Sequence, residues 1–457
     1  MKNLLTANYV ETEVNSSVVC ANNGVQQCFS FGERSDLNPR LDNGKVAPTL
    51  TLSRCLQRKR IAFYSHDTMG LGHNRRNQLL AQTLAGSGLQ ADILMIVGMR
   101  EQNALPMPSG VDYLTLPALY KEVDGQYRSR HLHLCIQKLI DLRAKTIRAA
   151  LKAFKPDVFI VDNVPRGALK ELDPALKYLH KHKHTHCILG LRDVLDEPMT
   201  VRHEWERAEN EDAIRKYYDA VWVYGDPGVY DLVREYRFSP NVAAKVRYAG
   251  YLDQRQRLKF VETEETDPLA ALELLPGKLV LCLVGGGQDG ASLAEAFSQA
   301  ILPPETNGVI ITGPFMSPEV QQRLHDRAAI NPRLRVLNFV NEPTMLLSRA
   351  DRVIAMGGYN TTCEILSFEK PALIVPRVQP RREQLIRAER LRDLGLIDML
   401  HPDNLNPSAL TAWLSLEREM PRVRERVDLN GLARLSYLLE QVVTTSSSHS
   451  HLLQKVA

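Results

Sequence analysis

The sequence has few cysteines, and their placement excludes a disulfide framework. Seven cysteines are scattered over 457 residues. Their number is odd, and no two form the C-x-x-C pair that is typical of redox and zinc sites. A small secreted protein held together by disulfides would need paired cysteines at short spacings. The sequence therefore predicts a protein of a reducing compartment, and we expect it in the cytoplasm.

Long apolar runs are missing as well. A membrane-spanning helix needs about 20 consecutive apolar residues, and no segment of the sequence approaches that length. Residues 1–10 lack the sustained apolar core of a secretory signal. The sequence therefore predicts no spanning segment, and it leaves open a peripheral contact with a membrane surface.

Several sequence motifs and a strong charge imbalance are absent too. No D-x-D motif occurs, so we expect no metal-bridged diphosphate site and no cofactor. The absence of G-x-x-x-x-G-K-[ST] argues against a P-loop NTPase, and the absence of G-x-S-x-G argues against a serine hydrolase. The 57 basic and 53 acidic residues give a net charge of only +4, so we expect no nucleic-acid partner, which usually requires a clustered basic face.

Most of the chain alternates short apolar runs with longer amphipathic stretches. The apolar runs read as two series of buried strands, at 60–64, 92–97, 158–161, 187–191 and 220–224, and then at 279–284, 309–312, 335–339, 352–355 and 372–375. Alternation of strands and helices indicates right-handed crossovers and parallel sheets. We therefore predict an α/β fold of two Rossmann-like domains that face each other across a cleft.

The predicted domain boundaries follow from changes in this pattern. Residues 250–276 are charged and rich in turn formers, and both ends of the chain are polar and without periodicity. The predicted segments are a flexible extension at 1–57, a first domain at 58–250, a linker at 251–277, a second domain at 278–441 and a flexible tail at 442–457.

The first candidate motif is S-H-D-T-M-G-L-G-H at 65–73, between a strand and a helix. Gly70 and Gly72 allow a tight turn and a close approach of the backbone to a ligand, and the helix start supplies unpaired amides. Histidine is a common general base near neutral pH, so His73 is our candidate base, with His66 and Asp67 beside it as alternatives. A purely structural turn explains the same residues equally well.

The second motif is G-G-G-Q-D-G at 285–290, which formally matches the dinucleotide pattern G-x-G-x-x-G. A dinucleotide fold requires an acidic residue at the end of the next strand, but that strand ends in Thr312 followed by glycine and proline. We therefore discount a nicotinamide cofactor. Gly286, Gly287 and Gln288 are predicted to cradle a phosphate, and a tight turn alone is the alternative.

The third motif is M-G-G-Y-N-T-T-C-E at 356–364. Gly357 and Gly358 end a strand, and the amides of Asn360 and Thr361 at the helix start can hold a phosphate. The carboxylate of Glu364 can accept two hydrogen bonds from a ribose diol. Its alternative role is stabilisation of the helix dipole, worth about 0.3–1 kcal/mol.

Charged residues follow three further strands. Arg377 and Arg381 come after the strand at 372–375, where guanidinium groups suit anionic oxygens. Asp162, Arg192 and Asp193 end or follow strands of the first domain, so we expect them on the acceptor side of the cleft. A structural ion pair between Arg192 and Asp193 is an equally good interpretation of those two.

Taken in order, these motifs resemble the family 28 glycosyltransferases. The resemblance covers roughly 59–420 and is strongest over 335–396, where F-V-N-E-P at 339–343, the paired glycines, Glu364 and Gln384 fall in register. It implies a GT-B fold, a nucleoside-diphosphate (NDP) sugar as donor, usually a UDP-sugar, and an inverting, metal-independent transfer of a hexosyl group.

The resemblance also implies roles for single residues. His73 is implied as the base near the acceptor, Glu364 as the ribose ligand, Gln384 as a contact to the donor sugar, and the backbone near Val340 as the base-recognition site. The two later glycine motifs are implied as diphosphate loops. Departures from the family pattern at 69–73 and 380–383 leave the sugar and the acceptor open, whether a glycan, a lipid-linked molecule or a small molecule.

Two other functions are compatible with the sequence. A sugar-nucleotide 2-epimerase has the same fold and would convert an NDP-sugar without an acceptor. A non-catalytic nucleotide-sugar-binding protein would bind the nucleotide without hydrolysis or transfer.

Overall fold

The computed structural model describes residues 58–66, 71–98, 107–121, 126–260 and 269–453. Strands and helices alternate in two successive series. The strands of the first series are β1 (Lys59–Ser65), β2 (Ala91–Val97), β3 (Val111–Thr115), β4 (Leu119–Lys121), β5 (Tyr127–Ser129), β6 (Val158–Asp162), β7 (His186–Arg192), β8 (Ala220–Tyr224) and β9 (Val246–Tyr248). Its helices are α1 (Leu71–Ala85), α2 (Ile136–Phe154), α3 (Asp173–His182), α4 (Pro198–Ala208), α5 (Asn210–Tyr217), α6 (Leu232–Tyr236) and α7 (Pro240–Ala243).

The second series has the same alternation. Its strands are β10 (Lys278–Leu283), β11 (Thr306–Ile311), β12 (Leu334–Leu337), β13 (Arg352–Ala355), β14 (Ala372–Ile374) and β15 (Asp398–Met399). Its helices are α8 (Ala291–Gln299), α9 (Pro318–Ile330), α10 (Thr344–Arg349), α11 (Tyr359–Ser367), α12 (Glu383–Asp393), α13 (Pro407–Ser415) and α14 (Gly431–Leu453). Short 3₁₀ turns, such as Gln254–Lys259, lie in the connections.

Each series builds one parallel sheet. The strand order is β3-β2-β1-β6-β7-β8-β9 in the first sheet and β12-β11-β10-β13-β14-β15 in the second, and β4 and β5 form a separate antiparallel hairpin. In both sheets the chain runs outward from its first strand and then returns to that strand's other side. This reversal creates a topological switch point between β1 and β6 and another between β10 and β13, where open α/β sheets bind their ligands. The α/β fold that the sequence predicts is confirmed.

The central strands are buried on both faces, which explains their continuous apolar runs. Every residue of β6 and of β8 is buried. Strands covered on both sides need no alternation of polar and apolar residues, so the runs predicted at 158–161 and 220–224 coincide with these strands to within one residue. The sequence did not predict β3 and β9, which are edge strands with partly exposed residues.

A buried network fixes the segment that follows β6. Arg143 of α2 donates to both carboxylate oxygens of Glu171, at 2.5 and 2.7 Å. The Tyr64 hydroxyl also donates to Glu171 and accepts a hydrogen bond from the Ala168 backbone N–H at 3.3 Å. These three buried side chains therefore tie the end of β1 and one face of α2 to the loop beyond β6.

The region between the two sheets is partly packed. Of the predicted linker at 251–277, residues 261–268 lie outside the described part of the chain, whereas Tyr251 and Arg257 are buried. The predicted extension at 1–57 also lies outside the described residues. The predicted domain boundaries therefore stay predictions.

The last helix returns to the first series. α14 packs against α1 and continues beyond residue 442, where the sequence predicts a tail. Its buried residues Leu432, Leu435 and Leu439 join an apolar cluster that includes Ile61 and Leu79 of the first series. Among the described helices, none has the length and the sustained apolar character that crossing a bilayer requires.

A buried ion pair joins the two series. Asp193, directly after β7, accepts hydrogen bonds from Nε and Nη2 of Arg387 at 2.8 and 2.7 Å and from the Tyr251 hydroxyl at 2.8 Å. The two charged side chains are at most 1% exposed. Burial alone would lower the pKa of Arg387, but Asp193 raises it above its ordinary value. The charged pair therefore holds α12 against the carboxyl end of β7.

Replacement of Asp193 by Asn should destabilise the protein by about 3–5 kcal/mol, because it leaves the Arg387 cation buried without a counterion. Urea denaturation measures this as a fall in the free energy of unfolding. Asp393→Asn is the control, since Asp393 pairs with Arg392 on the surface and exposed pairs contribute little. Equal stability of the Asp193→Asn variant and the wild type would show that the pair does not hold the two series together.

Candidate active site

The first switch point brings a histidine and a carboxylate together. His73 lies in the first turn of α1, and Asp162 is the last residue of β6. Because β1 and β6 are adjacent and parallel, the helix that follows β1 begins beside the end of β6. His73 Nδ1 is 2.5 Å from Asp162 Oδ2. The predicted base is therefore oriented by a residue that the sequence assigns only to the acceptor side.

The Asp162 carboxylate is held in its charged form. It is buried and receives a hydrogen bond from Arg76 Nη2, which also lies 3.2 Å from His73 Nδ1. Burial alone would raise the pKa of Asp162, but Arg76 and His73 hold it below its ordinary value. A carboxylate at Nδ1 favours a proton on that nitrogen and leaves Nε2 as the proton acceptor. With a side chain 22% exposed, His73 remains accessible to a substrate.

The rest of the first glycine motif is only partly described. Asp67 and Gly70 lie outside the described residues. His66 is buried, and the centroid of its ring is 5.2 Å from that of His73. The carbonyl of Gly72 accepts a hydrogen bond from the Asn360 side-chain amide at 2.9 Å. The first and third motifs therefore meet, although these two residues are 288 positions apart.

The other two glycine motifs lie at the second switch point. Residues 285–290 connect β10 to α8, and residues 356–364 connect β13 to α11 and include most of that helix. The two strands are adjacent and parallel, so both loops are at the same edge of the sheet. Gly358 precedes the first turn of α11, which contains Asn360 and Thr361. The amides of such a turn have no partner within their helix, and the sequence predicts that they hold a phosphate.

Two glycines of these loops are required by packing. Gly287 has φ +91°, and a Cβ there would lie 2.2 Å from the carbonyl oxygen of Thr312. Gly357 has φ +79°, and its Cβ would lie 2.6 Å from Ile374 Cγ2. The Gly287 amide also closes its own turn by donating to the Val284 carbonyl at 3.2 Å. Gly287 therefore shapes its loop.

The neighbouring Gly286 and Gln288 are exposed, unlike Gly287. Phe315 donates from its backbone N–H to the Gly286 carbonyl at 2.9 Å, which fixes the loop from its other side. The two positions thus remain accessible on a loop whose course is constrained, and their predicted phosphate contact stays a prediction.

Glu364 lies in a buried cluster of charges between the two series. Its Oε1 accepts hydrogen bonds from Arg75 of α1 and from the Thr344 hydroxyl, both at 3.1 Å. Arg75 also donates to Glu342 Oε1 at 2.7 Å. Burial raises the pKa of Glu364 above its ordinary value, and Arg75 offsets part of that effect. A ribose diol at Glu364 would therefore have to share or displace the contact with Arg75.

Arg257 completes this cluster. It donates to the Arg75 carbonyl at 2.6 Å and to Gln254 Oε1 at 2.7 Å. Burial and the nearby Arg75 lower the pKa of Arg257 to about 10. The sequence did not identify Arg75, Arg257 or Glu342 as part of a charge cluster, because no local pattern relates them. Val340, predicted to lie at the base-recognition site, is partly buried near Glu342.

Arg377 and Gln384 connect the second glycine loop to α12. Gln384 Oε1 accepts a hydrogen bond from the Arg377 backbone N–H at 2.9 Å. The Arg377 guanidinium donates to Asp289 at 3.0 Å and to Glu383 at 2.7 Å. In this arrangement Arg377 already has two carboxylate partners, and the side-chain oxygen of Gln384 is engaged by the backbone.

Arg381 connects the second series back to the first. Its Nη1 donates to Asp196 Oδ2 and Glu204 Oε2, both at 2.9 Å. Arg381, which the sequence predicts to contact an anionic group, is therefore paired with two carboxylates. Asp193, predicted to face the cleft, is fully buried and bound to Arg387, so the alternative ion pair between Arg192 and Asp193 is not formed.

A cavity of about 740 Å³ lies between the two sheets. His66, Asn163 and Arg192 line it from the first series, and Arg381 and Glu383 line it from the second. Its remaining wall includes apolar side chains such as Trp205 and Ile136. Residues that the sequence assigns to the donor and to the acceptor side therefore reach one common hollow.

Comparison with known proteins relates the second series to one family. Residues 280–430 match the sequence model of the Glycosyltransferase family 28 C-terminal domain. An uncharacterized glycosyltransferase of Methanosarcina acetivorans is 24% identical over 314 residues, which cover 67% of this chain and 77% of that protein. A UDP-N-acetylglucosamine–N-acetylmuramyl-(pentapeptide) pyrophosphoryl-undecaprenol N-acetylglucosamine transferase of Mannheimia succiniciproducens is 26% identical over 157 residues, 34% of this chain and 44% of that protein.

Solved structures resemble the whole arrangement. The calicheamicin glycosyltransferase CalG4 has a TM-score of 0.53 at 15% identity and covers 85% of this chain and 99% of its own. The UDP-GlcNAc 2-epimerase of Methanocaldococcus jannaschii has a TM-score of 0.56 at 14% identity and covers 84% and 100%. At such low identities the likeness concerns the fold alone. The fold is GT-B, with two Rossmann-like domains facing across a cleft, as the sequence predicts.

Gly287→Ala should destabilise the protein by about 1–3 kcal/mol, because a methyl group there meets the Thr312 carbonyl at a left-handed backbone position. Thermal unfolding measures the loss as a lower Tm. Gly358→Ala is the matched control, since its Cβ would have no neighbour within 4 Å and its φ is −58°. Equal melting of both variants would show that the loop at Gly287 is not constrained.

Proposed function

We propose that the chain is a family 28-like glycosyltransferase of the GT-B fold and that it transfers a hexosyl group from an NDP-sugar to an acceptor hydroxyl. The reaction inverts the anomeric centre and needs no metal ion. The observation that carries this proposal is the contact between the two switch points, where His73 and Asp162 lie next to the glycine motif that contains Asn360. This contact supports the proposal, because it brings the proposed base next to the proposed phosphate-binding loop.

The donor is proposed to bind to the second series. The glycine loops at 285–290 and 356–364 offer backbone amides at a switch point, and a helix start there favours negative charge. The Mannheimia succiniciproducens relative is named for a UDP-N-acetylglucosamine donor, which supports a UDP-sugar for this chain. The acceptor is a hydroxyl of a glycan, a lipid-linked molecule or a small molecule.

The proposed chemistry is a single displacement. His73 Nε2 takes the proton of the acceptor hydroxyl, and the acceptor oxygen forms a bond to C1 of the sugar. The bond between C1 and the β-phosphate oxygen breaks, and its electron pair leaves with the NDP. Asp162 keeps the proton of the free imidazole on Nδ1 and stabilises the imidazolium that forms. Attack on the face opposite to the leaving group explains the inversion.

A panel of nucleoside diphosphates and their sugars, tested by thermal shift, identifies the donor, because a ligand selective for the folded state raises Tm. Release of NDP from the selected donor is then measured with candidate acceptors. The proposal expects release that depends on an acceptor.

The same assay separates the two alternatives. An epimerase is supported by the fold of its solved relatives, and it would convert the donor sugar to its epimer with no acceptor present. A binding protein would show the thermal shift without conversion, hydrolysis or transfer under any condition. Either result would overturn the transferase proposal.

His73→Ala should lower kcat by about 10²–10⁴-fold, the range typical of a lost general base. Its affinity for NDP should remain within about twofold, because the nucleotide is proposed to bind mainly to residues of the second series. Isothermal titration and steady-state kinetics measure the two effects. His203→Ala, an exposed position on α4, is the control, and unchanged turnover of His73→Ala would remove His73 from the mechanism.

Glu364→Gln should weaken UDP binding about tenfold, since a hydrogen bond to a charged group contributes about 1.5–3 kcal/mol. The weakening should disappear with 2′,3′-dideoxy-UDP, which lacks the hydroxyls that the carboxylate would accept from. Titration of both ligands against both proteins gives this comparison. If removal of the ribose hydroxyls weakens binding equally in both proteins, Glu364 has no ribose role.

A further inference from the structure

Arg192 differs from the other arginines around the cleft. It is the last residue of β7, lines the cavity between the sheets, and has a buried Nε without a hydrogen-bond partner. Within the described part of the chain its guanidinium forms no hydrogen bond and no ion pair. A partly buried cation without a hydrogen-bonded anion is less favourable than a paired one, so a ligand anion is a natural partner for it.

The neighbouring arginines are neutralised by the protein itself. The pairs are Arg75 with Glu342 and Glu364, Arg76 with Asp162, Arg377 with Asp289 and Glu383, Arg381 with Asp196 and Glu204, and Arg387 with Asp193. Because each of these cations already contacts a carboxylate, any of them would bind an incoming anion less strongly than an unpaired arginine would. Arg207 also lines the cavity but is exposed, so water solvates it.

The surroundings of Arg192 are electrostatically mixed. Burial lowers its pKa, Glu383 and Asp193 favour its charged form, and Arg76 and Arg387 oppose it. Arg387 donates to the Gly357 carbonyl at 3.2 Å, and Gly357 belongs to the third glycine motif. Arg192 thus comes from the first sheet and lines a cavity that Arg377 and Glu383 of the second series also line.

We propose that Arg192 binds a phosphate group of the substrates across the cleft. This assignment rests on the proposed function and adds a residue to it. In the displacement, the electron pair of the breaking C1–O bond passes to the β-phosphate oxygen, and the leaving NDP gains a negative charge. Arg192 donates charge-assisted hydrogen bonds to that phosphate and stabilises the charge without a metal ion. A phosphate carried by the acceptor has the same chemistry and is the second possible source.

Inorganic pyrophosphate, UDP and uridine are the probes, and isothermal titration is the measurement. Arg192→Gln should weaken pyrophosphate binding at least tenfold and leave uridine binding unchanged. The pyrophosphate affinity of Arg192→Lys should lie between those of the wild type and Arg192→Gln, because an ammonium keeps the charge but loses the bidentate geometry. Arg207→Gln is the matched control, because Arg207 lines the same cavity but is exposed. This variant should bind pyrophosphate with the affinity of the wild type.

Competition identifies the source of the phosphate. If Arg192 binds the donor, UDP displaces pyrophosphate and Arg192→Gln weakens UDP binding to the same extent. If Arg192 binds a phosphate of the acceptor, pyrophosphate binds to the UDP-saturated protein, and only this second binding depends on Arg192. Both outcomes support the assignment.

Other outcomes overturn it. A folded Arg192→Gln protein, with wild-type circular dichroism and Tm, that binds pyrophosphate and UDP like the wild type would reject the assignment. A wild type that binds none of the three probes would also reject it. Arg192-dependent phosphate binding in a protein that never transfers sugar would retain the assignment while the transferase proposal fails.

Discussion

The buried pair of Asp193 and Arg387 sets the relation between the two parallel sheets, and the cleft follows from it. Asp193 directly follows β7 and Arg387 lies on α12, so the pair brings the carboxyl ends of both sheets to the same place. The ion pairs of Arg75 on α1 with Glu342 and with Glu364 on α11 also join the first series to the second. Because removal of one partner would leave the other charge buried without a counterion, these pairs constrain how the two domains meet.

This constraint determines which side chains remain available for chemistry. Once the domains meet, carboxylates of the first domain pair with Arg381 and Arg387, while Arg377 is paired within the second domain. His73 keeps access to the cleft because Asp162 contacts only its Nδ1, and Arg192 keeps a guanidinium without an ion pair in the described structure. The same low dielectric that strengthens the paired charges makes an unpaired one costly, which is the physical basis for proposing a ligand anion at Arg192.

Several features of the site followed from the sequence because they depend on topology alone. Glycine motifs placed directly after strands must lie at the carboxyl edge of a parallel sheet, so residues 65–73, 285–290 and 356–364 could be assigned to the cleft without knowledge of any contact. The partners within the cleft could not be assigned in this way. Arg381 was expected to meet a phosphate and instead meets Asp196 and Glu204, whereas Asp162 was expected only on the acceptor side and is bonded to the candidate base.

The sequence by itself determined the alternation of strands and helices and the positions of the glycine turns. Both depend on local properties, namely the burial of short apolar runs and the backbone freedom of glycine at positions such as Gly287. Only the tertiary structure decided which charges neutralise one another. Arg75 and Glu342 are 267 positions apart, and no periodicity within either segment encodes their contact, because it arises only when the two sheets pack end against end.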